Sequence, residues 1–133
     1  MKKHFLTILI LIIGITMFNF FSNSNSVDIS ADEFKQKLES DPGVVIDVRT
    51  QDEYNAGHLK ITDAQHDFLN GDFQNQLEKL DKDKNYYLYC RSGNRSGQAA
   101  RIMQNKGFEN VYNVGGFDDL VSNGFEPNRP ENE

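Results

Sequence analysis

Two short apolar runs constrain the fold more than any other feature of the sequence. Residues 44–48, VVIDV, are mostly β-branched, and residues 86–89, YYLY, combine aromatic and aliphatic side chains. Such runs, without polar alternation, are typical of strands buried on both faces. Helical patterns separate the strands along the chain, so we expect parallel pairing through right-handed crossovers. The sequence therefore predicts an α/β domain with a central parallel sheet flanked by helices on both faces.

Capping signals and apolar spacing predict where the helices lie. A capping box at Ser30 predicts a first helix that ends at about Ser40. A second capping box at Thr50 predicts a brief helix that ends at Gly57. Further elements are predicted as helices around residues 73–80, Ser96–Lys106 and Phe117–Ser122, and as a third strand over Val111–Val114. Residues 59–70 carry little periodic signal, so we interpret them as a loop with at most a short strand.

A length of 133 residues indicates one domain with one hydrophobic core. We assign residues 27–126 to this domain and residues 127–133 to a flexible tail. The net charge of -6 argues against nucleic acid as a partner. Three histidines and one cysteine show no metal-ligand spacing, so we expect no metal and no other cofactor.

The N-terminal residues 1–26 differ from the rest of the chain. Lys2 and Lys3 precede an apolar run from Phe5 to Phe21. Such a pattern is typical of an export signal or a membrane anchor, and the lysines hold its start in the cytoplasm. We favour a cleaved signal peptide, with an uncleaved inner-membrane anchor as the alternative. Either one predicts an exported, periplasmic or extracytoplasmic domain that meets the membrane only through its N-terminal segment.

The single cysteine, Cys90, directly follows the second predicted strand and starts the loop CRSGNR. A loop in this position lies at the carboxyl edge of a parallel sheet, where open α/β sheets bind ligands. Its backbone amides and the positive end of the next helix favour an anion, and hence a thiolate. Arg91 and Arg95 add positive charge, while Gly93 permits a positive φ. We therefore interpret Cys90 as a nucleophile rather than as a small buried apolar residue.

The length of this loop distinguishes between two chemistries. Four residues separate Cys90 from Arg95, whereas cysteine phosphatases have five between the corresponding residues. The shorter loop suits a sulfur atom better than a phosphoryl group with its equatorial oxygens. A cysteine phosphatase or an arsenate reductase is thus a less favoured alternative. The predicted substrate-binding residues are Arg91, Ser92, Gly93, Asn94, Arg95 and Ser96.

Four segments in a fixed order make the sequence resemble single-domain rhodaneses over roughly residues 27 to 126. They are Val45–Arg49, Glu53–Tyr54 with Gly57–His58, Tyr89–Ser96 and Gly107–Tyr112. The resemblance implies a sulfurtransferase whose cysteine takes a sulfane sulfur from a small anionic donor such as thiosulfate. The cysteine then holds the sulfur as a persulfide and passes it to cyanide or a thiol. Carried over by position, Cys90 is the nucleophile, the loop amides stabilise the persulfide, and Arg91 and Arg95 bind the donor.

The resemblance also assigns supporting roles. Asp47 and Arg49 organise a strand end, and His58 fixes a loop rather than acting as a base, because an ionised thiol needs no proton abstraction. Leu59–Ala64 and Phe117 depart from the family pattern, which leaves the substrate open. An alternative of a different class is a persulfide relay or binding module that exchanges sulfur with a protein partner and turns over little thiosulfate.

Overall fold

The computed structural model describes residues 26–131. The predicted signal or anchor segment, apart from Ser26, therefore lies outside the described residues. Between residues 26 and 131, no helix combines the length and the apolar character needed to cross a membrane.

A four-stranded parallel sheet forms the centre of the domain, with strand order β3-β1-β4-β5. The strands are β1 (Val44–Asp47), β2 (His58–Leu59), β3 (Ala64–Gln65), β4 (Asn85–Cys90), β5 (Asn110–Gly116) and β6 (Pro127–Asn128). The helices are α1 (Ala31–Ser40), α2 (Gln51–Ala56), α3 (Asp72–Leu77), α4 (Asn94–Asn105) and α5 (Phe117–Ser122). The predicted α/β architecture with a central parallel sheet is confirmed.

Helices cover both faces of this sheet. Successive residues of each strand point to opposite sides, so each face contributes its own apolar side chains to the core. On one face, Phe73 of α3 and Met103 of α4 pack in one buried cluster with alternate residues of β1 and β4. On the other face, Phe34 of α1 and Leu120 of α5 belong to a second cluster. The sheet is thus buried on both sides, as the unbroken apolar runs predict.

The tyrosines of β4 are core residues. Tyr86 lies in one cluster and Tyr87 and Tyr89 in the other, and all three are at most 1% exposed. The hydroxyl of Tyr89 accepts a hydrogen bond from the Leu59 N–H at 3.1 Å and lies 2.8 Å from the Thr62 hydroxyl. This buried hydroxyl therefore ties the segment after α2 to the central sheet.

The segment 59–70 and the C-terminal tail contain more structure than their sequence patterns indicate. Strand β3 pairs with β1 in parallel, and β2 pairs with β6 in antiparallel register, His58 opposite Asn128 and Leu59 opposite Pro127. Residues 127 and 128, the first two of the predicted tail, are thus paired in a strand. Strands of two residues leave no detectable periodicity, so tertiary pairing rather than local pattern determines them.

The carboxyl ends of β1 and β4 lie side by side. Asp47 is opposite Tyr89 in the register, and the Val48 N–H donates to the Tyr89 carbonyl at 3.0 Å. The loop that follows Cys90 is therefore adjacent to the connection between β1 and α2, at the edge where the sequence predicts the site.

Candidate active site

Cys90 is the last residue of β4 and is fully buried. Its Sγ accepts a hydrogen bond from the Gly93 N–H at 3.0 Å and lies 3.3 Å from the Ser96 Oγ. Donors rather than acceptors thus face the sulfur. Such surroundings stabilise a sulfur that carries negative charge, either a thiolate or the outer sulfur of a persulfide.

The balance of burial and hydrogen bonding favours the ionised thiol. Burial raises the pKa of Cys90, but hydrogen bonds from the Ser96 hydroxyl and from the amides of Ser96, Ser92 and Gly93 outweigh it. The net result is a pKa of the Cys90 thiol below its ordinary value. A larger fraction of Cys90 is therefore thiolate near neutral pH than for a free cysteine.

Two glycines allow the loop to take this shape. Gly93 has φ +92° and caps α4, which is the positive φ that the sequence analysis expects of it. Gly116 of β5 lies opposite Cys90, and a Cβ on it would come within 2.5 Å of the Arg91 carbonyl oxygen. Any side chain at position 116 would thus displace the backbone that surrounds the sulfur.

Arg95 is held by a carboxylate. Its two terminal guanidinium nitrogens donate to Glu53 of α2 at 2.8 and 2.9 Å. The hydrogen bond from Arg95 is the main reason that the pKa of Glu53 falls to about 2, and the Thr50 amide and hydroxyl add to it. Arg95 thus joins α4 to α2 and keeps a positive charge near Cys90, while its guanidinium is already paired in the absence of a donor.

Asn113 of β5 supports the loop from beneath and is 8% exposed. Its Nδ2 donates to the Gly93 carbonyl at 3.0 Å and to Asp28 at 2.9 Å, while its Oδ1 accepts from the Ser96 hydroxyl at 2.7 Å. A serine hydroxyl has one hydrogen to donate. Asn113 and Cys90 therefore compete for the hydrogen of Ser96.

Asp47, Arg49 and His58 form the scaffold next to this loop. The carboxylate of Asp47 accepts from the backbone N–H of Arg49 at 2.9 Å and from its guanidinium at 2.8 Å, and the guanidinium also donates to the Gly57 carbonyl. The ring of His58 stacks on Tyr54 at 3.8 Å, and its Nδ1 lies 3.0 Å from the Tyr54 carbonyl oxygen. These contacts fix the connection between β1 and β2. The structural roles that the resemblance implies for the three residues stay a prediction.

The two remaining polar residues of the loop have local partners. The Oγ of Ser92 accepts from the Asn94 N–H at 3.4 Å, and the side-chain oxygen of Asn94 accepts from Gln98 at 2.8 Å. Their side chains shape the loop and the start of α4. Sγ is hydrogen-bonded instead by the loop amides and by the Ser96 hydroxyl.

A cleft of about 230 Å³ adjoins the loop. Its lining consists of Arg49, Glu53, Ala56, Gly57, Arg91, Phe117 and Asp118. Arg91 follows Cys90 in the chain, and Phe117 follows Gly116, the partner of Cys90 in the sheet. The cleft is thus next to the nucleophile, and Arg91 is an exposed cation on its wall.

Sequence reasoning missed two parts of this site. It treated Glu53 as a capping residue and did not pair it with Arg95, and it gave Asn113 no role. The Glu53 capping box is present, but its second function depends on a residue 42 positions later. An asparagine flanked by Tyr112 and Val114 in the middle of strand β5 is the local signal for Asn113.

Comparison with known proteins relates this site to a family. A family model for the rhodanese-like domain matches residues 30–123. The chain is 39% identical over 91 residues to "Putative sulfurtransferase YtwF" of Bacillus subtilis, covering 68% of this chain and 85% of that protein. It is 38% identical over 94 residues to "Putative sulfur carrier protein YrkF" of the same organism, covering 69% of this chain but 49% of that protein.

The comparison with solved structures points to the same family. The crystal structure of a rhodanese-like domain protein from Staphylococcus aureus is 30% identical and superposes with a TM-score of 0.60. The superposition covers 74% of this chain and 95% of the other. Sequence, fold and the loop after β4 agree, and the chain belongs to the rhodanese-like domain family.

Proposed function

We propose that this protein is a sulfurtransferase that carries sulfur on Cys90. The Cys90 thiolate attacks the outer sulfur of a small anionic donor such as thiosulfate, and a new S–S bond forms at Sγ. The S–S bond of the donor breaks, and sulfite leaves with its electron pair. A thiophilic acceptor, cyanide or a thiol, then removes the outer sulfur and restores the thiolate.

The observation that carries this proposal is the arrangement of donors around Sγ. The Gly93 amide at 3.0 Å and the Ser96 hydroxyl at 3.3 Å stabilise the thiolate before the transfer. The amides of a loop of this length surround one sulfur atom and stabilise the charge of the persulfide after it. Positive charge from Arg91 in the cleft favours approach of the anionic donor.

The proposal is tested by intact mass. Incubation with thiosulfate should add one sulfur atom to the wild-type protein and none to Cys90→Ser. Cys90 is the only cysteine, so the added mass locates the sulfur without peptide mapping. Cyanide should then remove the added sulfur and release thiocyanate. A wild-type protein that gains no sulfur from thiosulfate or from an organic persulfide would overturn the proposal.

A second candidate is a persulfide relay to a protein partner, with little turnover of free thiosulfate. It is favoured by the similarity to a protein named as a sulfur carrier. Steady-state thiosulfate:cyanide assays separate the two. A protein that loads one sulfur but releases thiocyanate slowly would be a relay, whereas rapid release would identify the small-molecule sulfurtransferase.

A further inference from the structure

Strand β6 and the residue after it place an additional arginine beside two residues that line the cleft. Arg129 directly follows β6, which pairs with β2. A Cβ built on Gly57 would lie 3.0 Å from the Arg129 Cγ, and the guanidinium carbon is 5.6 Å from the centroid of the Phe117 ring. Gly57 and Phe117 both line the cleft. The pairing of β6 with β2 thus determines the position of Arg129.

Arginine is concentrated at this edge of the domain. Of the five arginines in the chain, Arg49 and Arg91 line the cleft, and Arg95 pairs with a lining carboxylate. Arg129 is the fourth arginine at this edge. Among residues 26–131, no lysine lines the cleft. Guanidinium binds planar oxyanions through two parallel hydrogen bonds, so this clustering favours a ligand with a carboxylate.

The cations at the cleft differ in whether they are free to bind a ligand. The guanidinium of Arg49 is bound to Asp47, and its side chain is 6% exposed. The side chain of Arg129 is 54% exposed, and its Nη2 is 4.0 Å from Asp118, whose side chain is 87% exposed. An exposed pair at this distance is weak. Arg129 can therefore bind an arriving carboxylate at little cost.

We propose that Arg129 selects the acceptor by binding the carboxylate of a small thiol. The inference rests on the proposed function. The cleft adjoins the loop that starts at Cys90. An acceptor that brings its sulfur to Cys90 from this side, if it is a short thiol with a carboxylate, has its charged end near Arg129. Cyanide has no group that could reach Arg129. The substrate class assigned to the second half of the reaction is thus a low-molecular-weight thiol with a carboxylate.

The transfer step is balanced without a further reactant. The thiolate of the acceptor attacks the outer sulfur of the Cys90 persulfide, and a new S–S bond forms. The bond between that sulfur and Sγ breaks, and Cys90 leaves as a thiolate with the electron pair. Arg129 touches neither sulfur in this scheme and acts only on the far end of the acceptor.

Asp118 should oppose this selection. Its carboxylate lines the cleft and repels the carboxylate of the acceptor. Arg129→Gln should therefore weaken the selection for anionic thiols, and Asp118→Asn should strengthen it. The two substitutions change the charge in opposite directions at the same place. A general disturbance of the fold would lower activity in both variants and could not produce effects of opposite sign.

The experiment starts from protein loaded with sulfur and measures the second-order rate constant of sulfur release to mercaptopropionate and to mercaptoethanol. The ratio of the two values is compared between variants, so the intrinsic reactivities of the thiols cancel. Arg129→Gln should lower the ratio about two- to five-fold, as expected for one partly exposed ion pair, and Asp118→Asn should raise it. Lys60→Gln is the matched control, because Lys60 is 52% exposed and forms a comparable ion pair with Glu126 beside the same two-stranded sheet.

The outcomes separate the two proposals. An unchanged ratio in Arg129→Gln, with normal loading of Cys90, would overturn the role of Arg129 and leave the sulfurtransferase intact. An equal fall of the ratio in Lys60→Gln would overturn it as well, because the effect would then be one of net charge. Failure of Cys90 to accept sulfur would overturn both proposals.

Discussion

The reactivity of Cys90 depends on one hydrogen atom that two acceptors share. The Ser96 hydroxyl lies 2.7 Å from the Asn113 Oδ1 and 3.3 Å from Sγ, so Asn113 has the shorter contact. A charged sulfur is the stronger acceptor of the two. Ionisation of Cys90 should therefore turn the hydroxyl towards the sulfur, and protonation should return it to Asn113.

This competition predicts the effect of Ser96→Ala. Loss of the hydroxyl removes a hydrogen bond that lowers the pKa of Cys90, while the burial that raises the pKa remains. The apparent pKa of the thiol should rise, and alkylation by iodoacetamide near neutral pH should become slower. The pH dependence of the alkylation rate measures this directly.

A matched control keeps the test specific. The hydroxyl of Ser122 donates to the Asp118 carbonyl within α5, so Ser122→Ala also removes one helix hydroxyl. It should leave the alkylation profile of Cys90 unchanged. An identical profile for Ser96→Ala and wild type would show that the loop amides alone set the pKa.

The sequence predicts the residues of the loop that starts at Cys90 better than it predicts Asn113, which supports this loop from β5. Cys90, Gly93 and Ser96 lie within seven consecutive residues. A strand, a glycine turn and a helix in succession determine their geometry. Asn113 reaches Gly93 from 20 positions away and Asp28 from 85. Such contacts arise from the order of the strands in the sheet, which local patterns do not encode.

The elements α2 and α4 are joined by the pair of Glu53 and Arg95. The Glu53 side chain is 28% exposed and that of Arg95 is 17% exposed, and the contact is bidentate. Hydrogen bonds between charged groups in such partly buried positions are stronger than those at an open surface. The pair therefore stabilises helix α4 and the loop between Cys90 and this helix.

This contact predicts a pH-dependent loss of stability in Glu53→Gln. The pKa of Glu53 is about 2 in the folded protein, against an ordinary value of 4.5. Its stabilisation is complete above the ordinary value and is lost as the pH falls towards about 2. Glu53→Gln should lower the free energy of unfolding by about 2 kcal/mol near neutral pH, as measured in urea.

The difference between Glu53→Gln and wild type should shrink as the pH falls from 4.5 towards about 2, because Glu53 of the unfolded wild-type protein takes up a proton in this range before Glu53 of the folded protein does. Asp52→Asn is the control, since Asp52 is an exposed acidic residue in the same first turn of α2. Asp52→Asn should lower the free energy of unfolding only by the small interaction between the Asp52 carboxylate and the helix dipole. A loss in Glu53→Gln that does not change with pH would contradict this account of the ion pair.

Elements with a strong local signal are predictable, and elements made by pairing are not. The apolar runs and capping boxes predict β1, β4, α1 and α2 close to their observed bounds. Strands β2, β3 and β6 each contain two residues, and their partners lie elsewhere in the chain. Arg129 owes its place at the cleft to this second kind of element, so its proposed role could not be inferred from sequence.

At the scale of the whole molecule, charge is distributed unevenly. The chain has a net charge of -6, yet four of its five arginines lie at or beside the carboxyl edge of the sheet. For the anionic donor that we propose, the overall charge is repulsive, and the cationic groups that could offset this repulsion are concentrated at that edge, beside Glu53 and Asp118. Specific use of small anions should therefore depend on these arginines rather than on the overall composition.

We propose that residues 1–26 export the domain or anchor it in the membrane, as their pattern in the sequence predicts. Fused to a reporter enzyme that is active only outside the cytoplasm, this segment should give an active reporter in bacteria. Ile13→Arg places a charge in the apolar run and should abolish that activity, because an arginine there costs about 3 kcal/mol in membrane insertion.

The mass of the N-terminus distinguishes a cleaved signal from an anchor. Cleavage leaves a chain that begins near Val27 and is released from the membrane, whereas an anchor leaves the intact N-terminus in the membrane fraction. An inactive reporter with the wild-type segment would contradict export and place the sulfur chemistry in the cytoplasm. Export would instead require the donor and the thiol acceptor to reach Cys90 outside it, where a lone thiolate cannot rely on cytoplasmic reductants to remain reduced.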